Sequence, residues 1–264
     1  MAFWPPNAPT LFSIALDSAQ SIVGVPRVGG HKEALVSVVF AAASLEAFLN
    51  ESVYLAENTR NAPPVVSTFA QVMAEAEESK AQIQAKFHLG HLVLTGKSYD
   101  KGAVPYQDFS DLFAVRNSLM HGKSNELFLT VTGKPGMMLN PLAVMERLSS
   151  KNILHDPQSE HRKGYVMVAG DTAQAELILV DDSDGTTPWS SVESVRSIEP
   201  SILKPRGERM MSRWTYVIGT KAVAQWACNA ASRMATDFME KAPPSSWKQA
   251  MESHFLKPFS ASFE

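Results

Sequence analysis

Residues 31–58 read HKEALVSVVFAAASLEAFLNESVYLAEN, and they decide what kind of fold this is. The run holds neither proline nor glycine, and Val38, Ala41, Leu45, Phe48, Ser52 and Leu55 recur at steps of three and four residues. That is the period of one face of an α-helix, so the stretch predicts a long amphipathic helix that needs other helices to cover it. Its most apolar part, Ala34 to Leu49, is interrupted by Ser37, Ser44 and Glu46. It falls short of the ~20 apolar residues needed to cross a bilayer.

Downstream, Pro63-Pro64 is followed by VVSTFAQVMAEAEESKAQIQAKFHLG, rich in good helix formers. This predicts a second helix over 64–88, closed near Gly90. HLVLTGKSYDKGAVPYQ carries turn residues and predicts an irregular connector, after which a third helix starts near Tyr106 to Phe109 and runs to about 122. TYVIGTKAVAQWACNAASRMATDFMEK, residues 215–241, places Val223, Trp226, Ala227, Ala230, Met234 and Phe238 on one stripe before Pro243-Pro244 stops it. SWKQAMESHF predicts a short helix in a C-terminal tail, residues 242–264.

Between the last two long helices the texture changes. LFLTVT and MMLN flank GKPG as in a hairpin, GYVMVAG and AELILV are further short strand candidates, and PLAVMERLSS has room for one short helix. Residues 124–214 are therefore expected to form an α+β or β-rich insertion. The expected fold is mainly α: a small up-and-down four-helix bundle made from residues 31–123 and 215–241. Residues 1–30 are expected as an N-terminal extension. They lack the positively charged start and long apolar run of a secretory signal.

Composition narrows the function classes. Of the 264 residues 45% are apolar and 19% charged, which excludes disorder and fibrous repeats. A net charge of -3 gives no global basic field, so any nucleic-acid contact has to be local. The single Cys228 cannot form an internal disulfide and reads as a small buried hydrophobe, which fits a reducing, cytoplasmic setting. No phosphate-binding loop, nucleophile elbow or dinucleotide fingerprint occurs. His88-x-x-His91 alone is a weak metal signal, as is the His155, Asp156, His161 grouping, so no metal or other cofactor is expected.

The third helix ends in LFAVRNSLMHGK, residues 112–123, where apolar packing stops and Arg116, Asn117 and His121 crowd the last turn and a half. Asn117 and His121 are four apart and share a face; Arg116 lies 100° around from Asn117. Gly122 suits the left-handed cap that ends such a helix. A histidine in the last turn feels the negative end of the helix dipole, which favours its protonated form, and arginine offers a planar fork matched to phosphate oxygens. The plain alternative is that the three side chains only bond the last free carbonyls and face water.

The Arg-Asn pair followed after three residues by His, on a third long helix preceded by a first helix carrying SLEAFLNE, resembles the HEPN superfamily of helical-bundle proteins. The resemblance covers roughly residues 31–123 and 215–241. It implies a metal-independent endoribonuclease that works as a homodimer, with Arg116 and His121 catalytic and Asn117 supporting. It also implies a biological setting such as a toxin–antitoxin pair or phage defence, with an antitoxin or regulatory protein as partner. The competing expectation is a HEPN-like module that binds nucleotide or protein without catalysis.

Glu46 and Asn50, four apart in SLEAFLNE, share a face and are candidates to support the cluster from the neighbouring helix; the alternative is a solvated face or an interhelix hydrogen bond. For RNA contact, LKPRGERMMSR supplies Lys204, Arg206, Arg209 and Arg213, and Lys123 adds a cation beside the motif. Such a run is also what a solvated linker looks like.

Overall fold

In the computed structural model the chain is described over residues 7–24, 31–121, 130–131, 138–139, 148, 151, 163–169, 175–181, 203–204, 218–260 and 263. The described chain is mainly α. Its helices are α1 (Asn7–Ser21), α2 (Lys32–Asn58), α3 (Pro64–Glu78), α4 (Ile83–Thr95), α5 (Tyr106–His121), α6 (Lys221–Glu240) and α7 (Ser246–Met251). Two compact units share them: residues 1–21, 36–116 and 224–264 form one, and residues 22–35 and 117–223 the other.

The first unit has an apolar core built by the predicted stripes. Along α2, Val38, Ala41, Leu45 and Phe48 are fully buried. Leu55 is only half-buried, and Ala56 continues the buried face in its place. The buried serines do not break the stripe, because each hydroxyl has an acceptor. Ser44 Oγ donates to Ala41 O and Ser52 Oγ to Leu49 O, both at 2.7 Å, and Ser37 Oγ donates to Ala15 O of α1 at 2.9 Å. α2 is also long and apolar enough to cross a bilayer, and half of its most apolar stretch is buried within the protein.

The residues expected as an extension hold a core helix. Ala8, Phe12, Ala15 and Ala19 of α1 are all fully buried, spaced four, three and four. Glu51 of α2 caps the helix from outside: its carboxylate accepts from Asn7 N at 2.5 Å and from Ala8 N at 3.2 Å, satisfying amides at the positive end of the dipole. Burial nevertheless pushes the Glu51 carboxyl above its usual range, the two amides only partly offsetting it.

The second predicted helix is two. α3 ends at Glu78, Lys80 takes the left-handed conformation at φ 54°, and Ala81 N donates back to Ala76 O at 2.9 Å. This is a Schellman-type stop built on lysine where glycine is usual, which is why no breaker marks it in the sequence. α4 then runs through Gly90 to Thr95 and is capped by Gly96 at φ 70°. The connector is correspondingly shorter than the sequence predicts. Gly90 does not end a helix: a Cβ there would lie 2.9 Å from Phe69 Cε2 and 3.2 Å from Phe238 Cζ, so the missing side chain lets α4 approach α3 and α6.

Aromatic rings bind the unit together. Phe238 of α6 meets Phe48 of α2, Phe69 of α3 and Phe87 of α4, with centroids at 6.3, 6.1 and 5.4 Å. Phe87 continues to Phe109 of α5 at 4.8 Å, and Phe48 to Phe259 at 5.7 Å, which itself stacks on Phe12 of α1 at 4.3 Å. Edge and tilted geometries predominate, as the ring quadrupole favours. The tail supplies two of these anchors. Ser245 Oγ caps α7 by accepting from Lys248 N, and fully buried Trp247 donates its indole N–H to Ser52 O at 2.9 Å. A π-helical turn (Glu252–Leu256) and a 3-10 turn (Lys257–Ser260) carry Phe259 inward. α6 starts at Lys221, later than 215, after Thr220 Oγ1 accepts from Val223 N. Its Cys228 is buried, and burial pushes the thiol up to about 12, so it packs as a hydrophobe.

In the second unit the described backbone includes β1 (Thr130–Val131), β2 (Met138–Leu139), β3 (Lys163–Ala169), β4 (Ala175–Asp181) and β5 (Leu203–Lys204), hydrogen-bonded in the order β2-β1-β3-β4-β5. β3 and β4 pair antiparallel, Lys163 opposite Asp181 and Ala169 opposite Ala175; β1 runs parallel to β3. Most of the stretch read as a short helix, 141–150, lies outside the described residues.

Candidate functional site

α5 packs through apolar residues over its first two and a half turns: Phe109, Leu112, Phe113 and Val115 are buried to 1% exposure or less. The Arg116, Asn117 and His121 cluster begins where this packing ends. Arg116 places Nη2 3.6 Å from Glu46 Oε1 of α2, the side chains 24% and 37% exposed. An ion pair this open to water contributes at most about 1 kcal/mol. Its effect is directional: it holds the guanidinium against α2 in the SLEAFLNE segment.

Asn117 is exposed, and His121 is the last residue of α5. The His121 side chain lies outside the described residues, as do Gly122, Lys123, Arg206, Arg209 and Arg213. Lys204 sits in β5 with its backbone opposite Leu179. Asn50 is exposed on α2. Of the predicted site residues, the described contacts therefore bring together Arg116 and Glu46.

A second charged pair escaped the sequence pattern. Arg233 Nη2 of α6 donates to Asp108 Oδ2 of α5 at 2.8 Å, with the Asp108 side chain 3% exposed. Asp111, one turn on, is buried as well. The available signal was two acids three apart on a helix face otherwise apolar, which only a cationic or hydrogen-bonding partner can compensate.

Of the two histidines of α4, His91 is held by its neighbours. His91 Nδ1 lies 2.7 Å from Lys97 O, and its ring stacks on Tyr99 at 3.8 Å. Burial lowers its pKa, with the Lys97 carbonyl acting the other way. Among the described residues no three His, Cys, Asp or Glu side chains gather as metal ligands. His155, Asp156 and His161 are outside them.

No protein-family model matches the chain, and neither does any curated protein or solved structure.

Proposed function

We propose that this protein is a HEPN-like, metal-independent endoribonuclease, a four-helix bundle of that type elaborated by α1, by the division of its second helix and by a β-rich insertion between α5 and α6. The observation that carries the reading is the Arg116–Glu46 contact, which joins the Arg-Asn-x3-His segment to SLEAFLNE, two stretches far apart in sequence and singled out together. Support also comes from the position of the segment, at the end of a helix where side chains can reach an extended ligand.

In the proposed reaction the 2′-hydroxyl of RNA attacks the adjacent phosphorus and the 5′-oxygen departs. Products carry a 2′,3′-cyclic phosphate and a free 5′-hydroxyl. His121 moves a proton, either from the attacking hydroxyl or to the leaving oxygen. Arg116 stabilises charge growing on the phosphate oxygens, and Glu46 holds the guanidinium in place, with Asn117 and Asn50 in support. Two copies of the chain supply the motif to one cleft. Lys123, Lys204, Arg206, Arg209 and Arg213 hold flanking phosphates, so affinity falls steeply with salt. The setting is cytoplasmic, with an antitoxin or regulatory protein restraining the enzyme.

The test is incubation of purified wild type, Arg116→Ala and His121→Ala with total RNA in excess chelator, followed by analysis of product 3′ ends. Cyclic phosphate from wild type alone supports the assignment. Cleavage by either variant at the wild-type rate overturns it, and RNA or nucleotide binding without cleavage by any of the three identifies a binding module.

A further inference from the structure

The connector from Gly96 to Pro105 joins α4 to α5, and one side chain of α4 holds it twice. His91 is 5% exposed. Its Nδ1–H donates to Lys97 O at 2.7 Å, and its imidazole stacks 28° from parallel on Tyr99, itself 7% exposed, at 3.8 Å. With Nδ1 committed to a carbonyl, the neutral ring carries its lone pair on Nε2, and that atom is buried with no hydrogen-bond partner among the described residues. From Tyr99 the contact passes to Tyr106, the first residue of α5, at 5.2 Å. The same ring stack that fastens the connector therefore reaches the start of the helix that bears Asp108 and Arg116.

A proton can enter this arrangement only at Nε2. The Lys97 carbonyl accepts from Nδ1 in either charge state and bonds the cation more strongly, but the burial of the ring, felt most at Nε2, outweighs it. A new N–H⁺ there has no acceptor in place among the described residues and loses its hydration. Around the ring stand His88 on its own helix, Lys97 and Tyr99 in the connector, Asp237 on α6 and Lys241 just after it, with Tyr106 of α5 behind Tyr99. Asp237 favours the cation, but its carboxylate is already engaged by Lys241 Nζ at 2.8 Å. Lys241 and His88 oppose the cation, and Lys241 also stands over the Tyr99 ring at 5.3 Å.

We propose that His91 is an acid-released latch: neutral, it fastens the Gly96–Pro105 connector to α4, and on gaining a proton it turns Nε2 out to water, gives up Tyr99 and frees the connector and the first turn of α5. This is independent of the RNA-cleavage reading. The sign follows from linkage. The docked imidazole titrates below its ordinary 6.5, so the docked state is fully favoured above that pH. As pH falls, the released form takes up the proton first, and docking weakens about tenfold per pH unit until the docked ring itself protonates.

Amide hydrogen exchange of the 96–105 segment, corrected for intrinsic rates and compared with α2, reads the latch directly between pH 7.5 and 5.5. Wild type is expected to lose protection in this segment, and not in α2, below about pH 6.5. His91→Asn, which keeps a donor for the Lys97 carbonyl and cannot titrate in this range, is expected to show no such loss. Lys241→Gln, a change at an exposed side chain, removes charge that opposes the cation and is expected to shrink the loss. A wild-type connector whose protection is constant with pH overturns the proposal. So does an undiminished loss in His91→Asn, or one in Lys241→Gln as large as in wild type.

Discussion

Replacing Gly90 with alanine puts two known effects in direct opposition. In an exposed helix interior the change stabilises by about 1 kcal/mol, because glycine loses more backbone entropy on folding. At this position the new methyl would sit 2.9 Å from Phe69 Cε2 and 3.2 and 3.3 Å from Phe238 Cζ and Cε2. Neither ring is free to retreat. Phe69 and Phe238 are 0% and 1% exposed, and Phe69 is also backed by Trp247 at 5.5 Å and Phe238 by Phe87 at 5.4 Å. Overpacking of such a core costs about 1–3 kcal/mol, so the net expectation is a destabilisation of up to about 2 kcal/mol after the propensity gain. Urea unfolding at constant slope measures it. The double variant Gly90→Ala with Phe69→Leu should cost less than the sum of the two singles, since removing the ring edge makes room for the methyl. A Gly90→Ala protein about 1 kcal/mol more stable than wild type would refute the close approach of α4 to its neighbours.

Three further outcomes are expected. Trp247→Phe keeps an aromatic ring but deletes the N–H that serves Ser52 O and leaves a cavity where the bicyclic indole packed, and should cost at least about 1–3 kcal/mol in urea unfolding. Arg233→Gln should destabilise more than Asp108→Asn, because it strips a charged donor from a carboxylate that is 3% exposed, whereas Asp108→Asn leaves a guanidinium that water can reach; equal losses would count against the asymmetry. Burial holds the Glu51 carboxyl above its ordinary 4.5 in the folded protein, so its contribution is fully present below that pH and is lost as pH rises through the folded pKa. Relative to Glu51→Gln, wild type should therefore lose stability as pH rises above 4.5, despite the favourable place of a carboxylate at a helix N-terminus, and urea midpoints on either side of that pH check the sign.

What the sequence revealed, it revealed through contrast between faces. α2 and α6 were legible because large apolar residues recur at helical spacing among polar ones. α1 was not recognised as a core helix: three of its four fully buried residues are alanines, which give little contrast, and Pro5, Pro6 and Pro9 suggest a loose segment. The break after α3 was invisible because lysine adopts the conformation that glycine would have announced. Gly90 misled for the converse reason, its absent side chain serving a tertiary approach that no local pattern encodes. At the site, the helix end bearing Arg116 was readable from where apolar residues cease. Glu46 was legible as a candidate to support the cluster from the neighbouring helix, with a solvated face as its alternative, whereas the Asp108–Arg233 bond joins residues 125 apart, beyond the reach of any periodicity.

The stacking of Phe12 on Phe259 also bears on how the chain is made. The first unit draws on residues 1–21, 36–116 and 224–264, so α1 emerges from the ribosome long before the ring that will cover it. Translation of the intervening residues 117–223 at ordinary rates takes on the order of ten seconds. Throughout that interval Phe12 lacks its stacked neighbour and Ser52 the indole that binds its carbonyl. The nascent protein must therefore carry an uncovered apolar surface over a time far longer than collapse itself requires, and its yield in a cell should depend on whatever shields that surface until the last helix arrives.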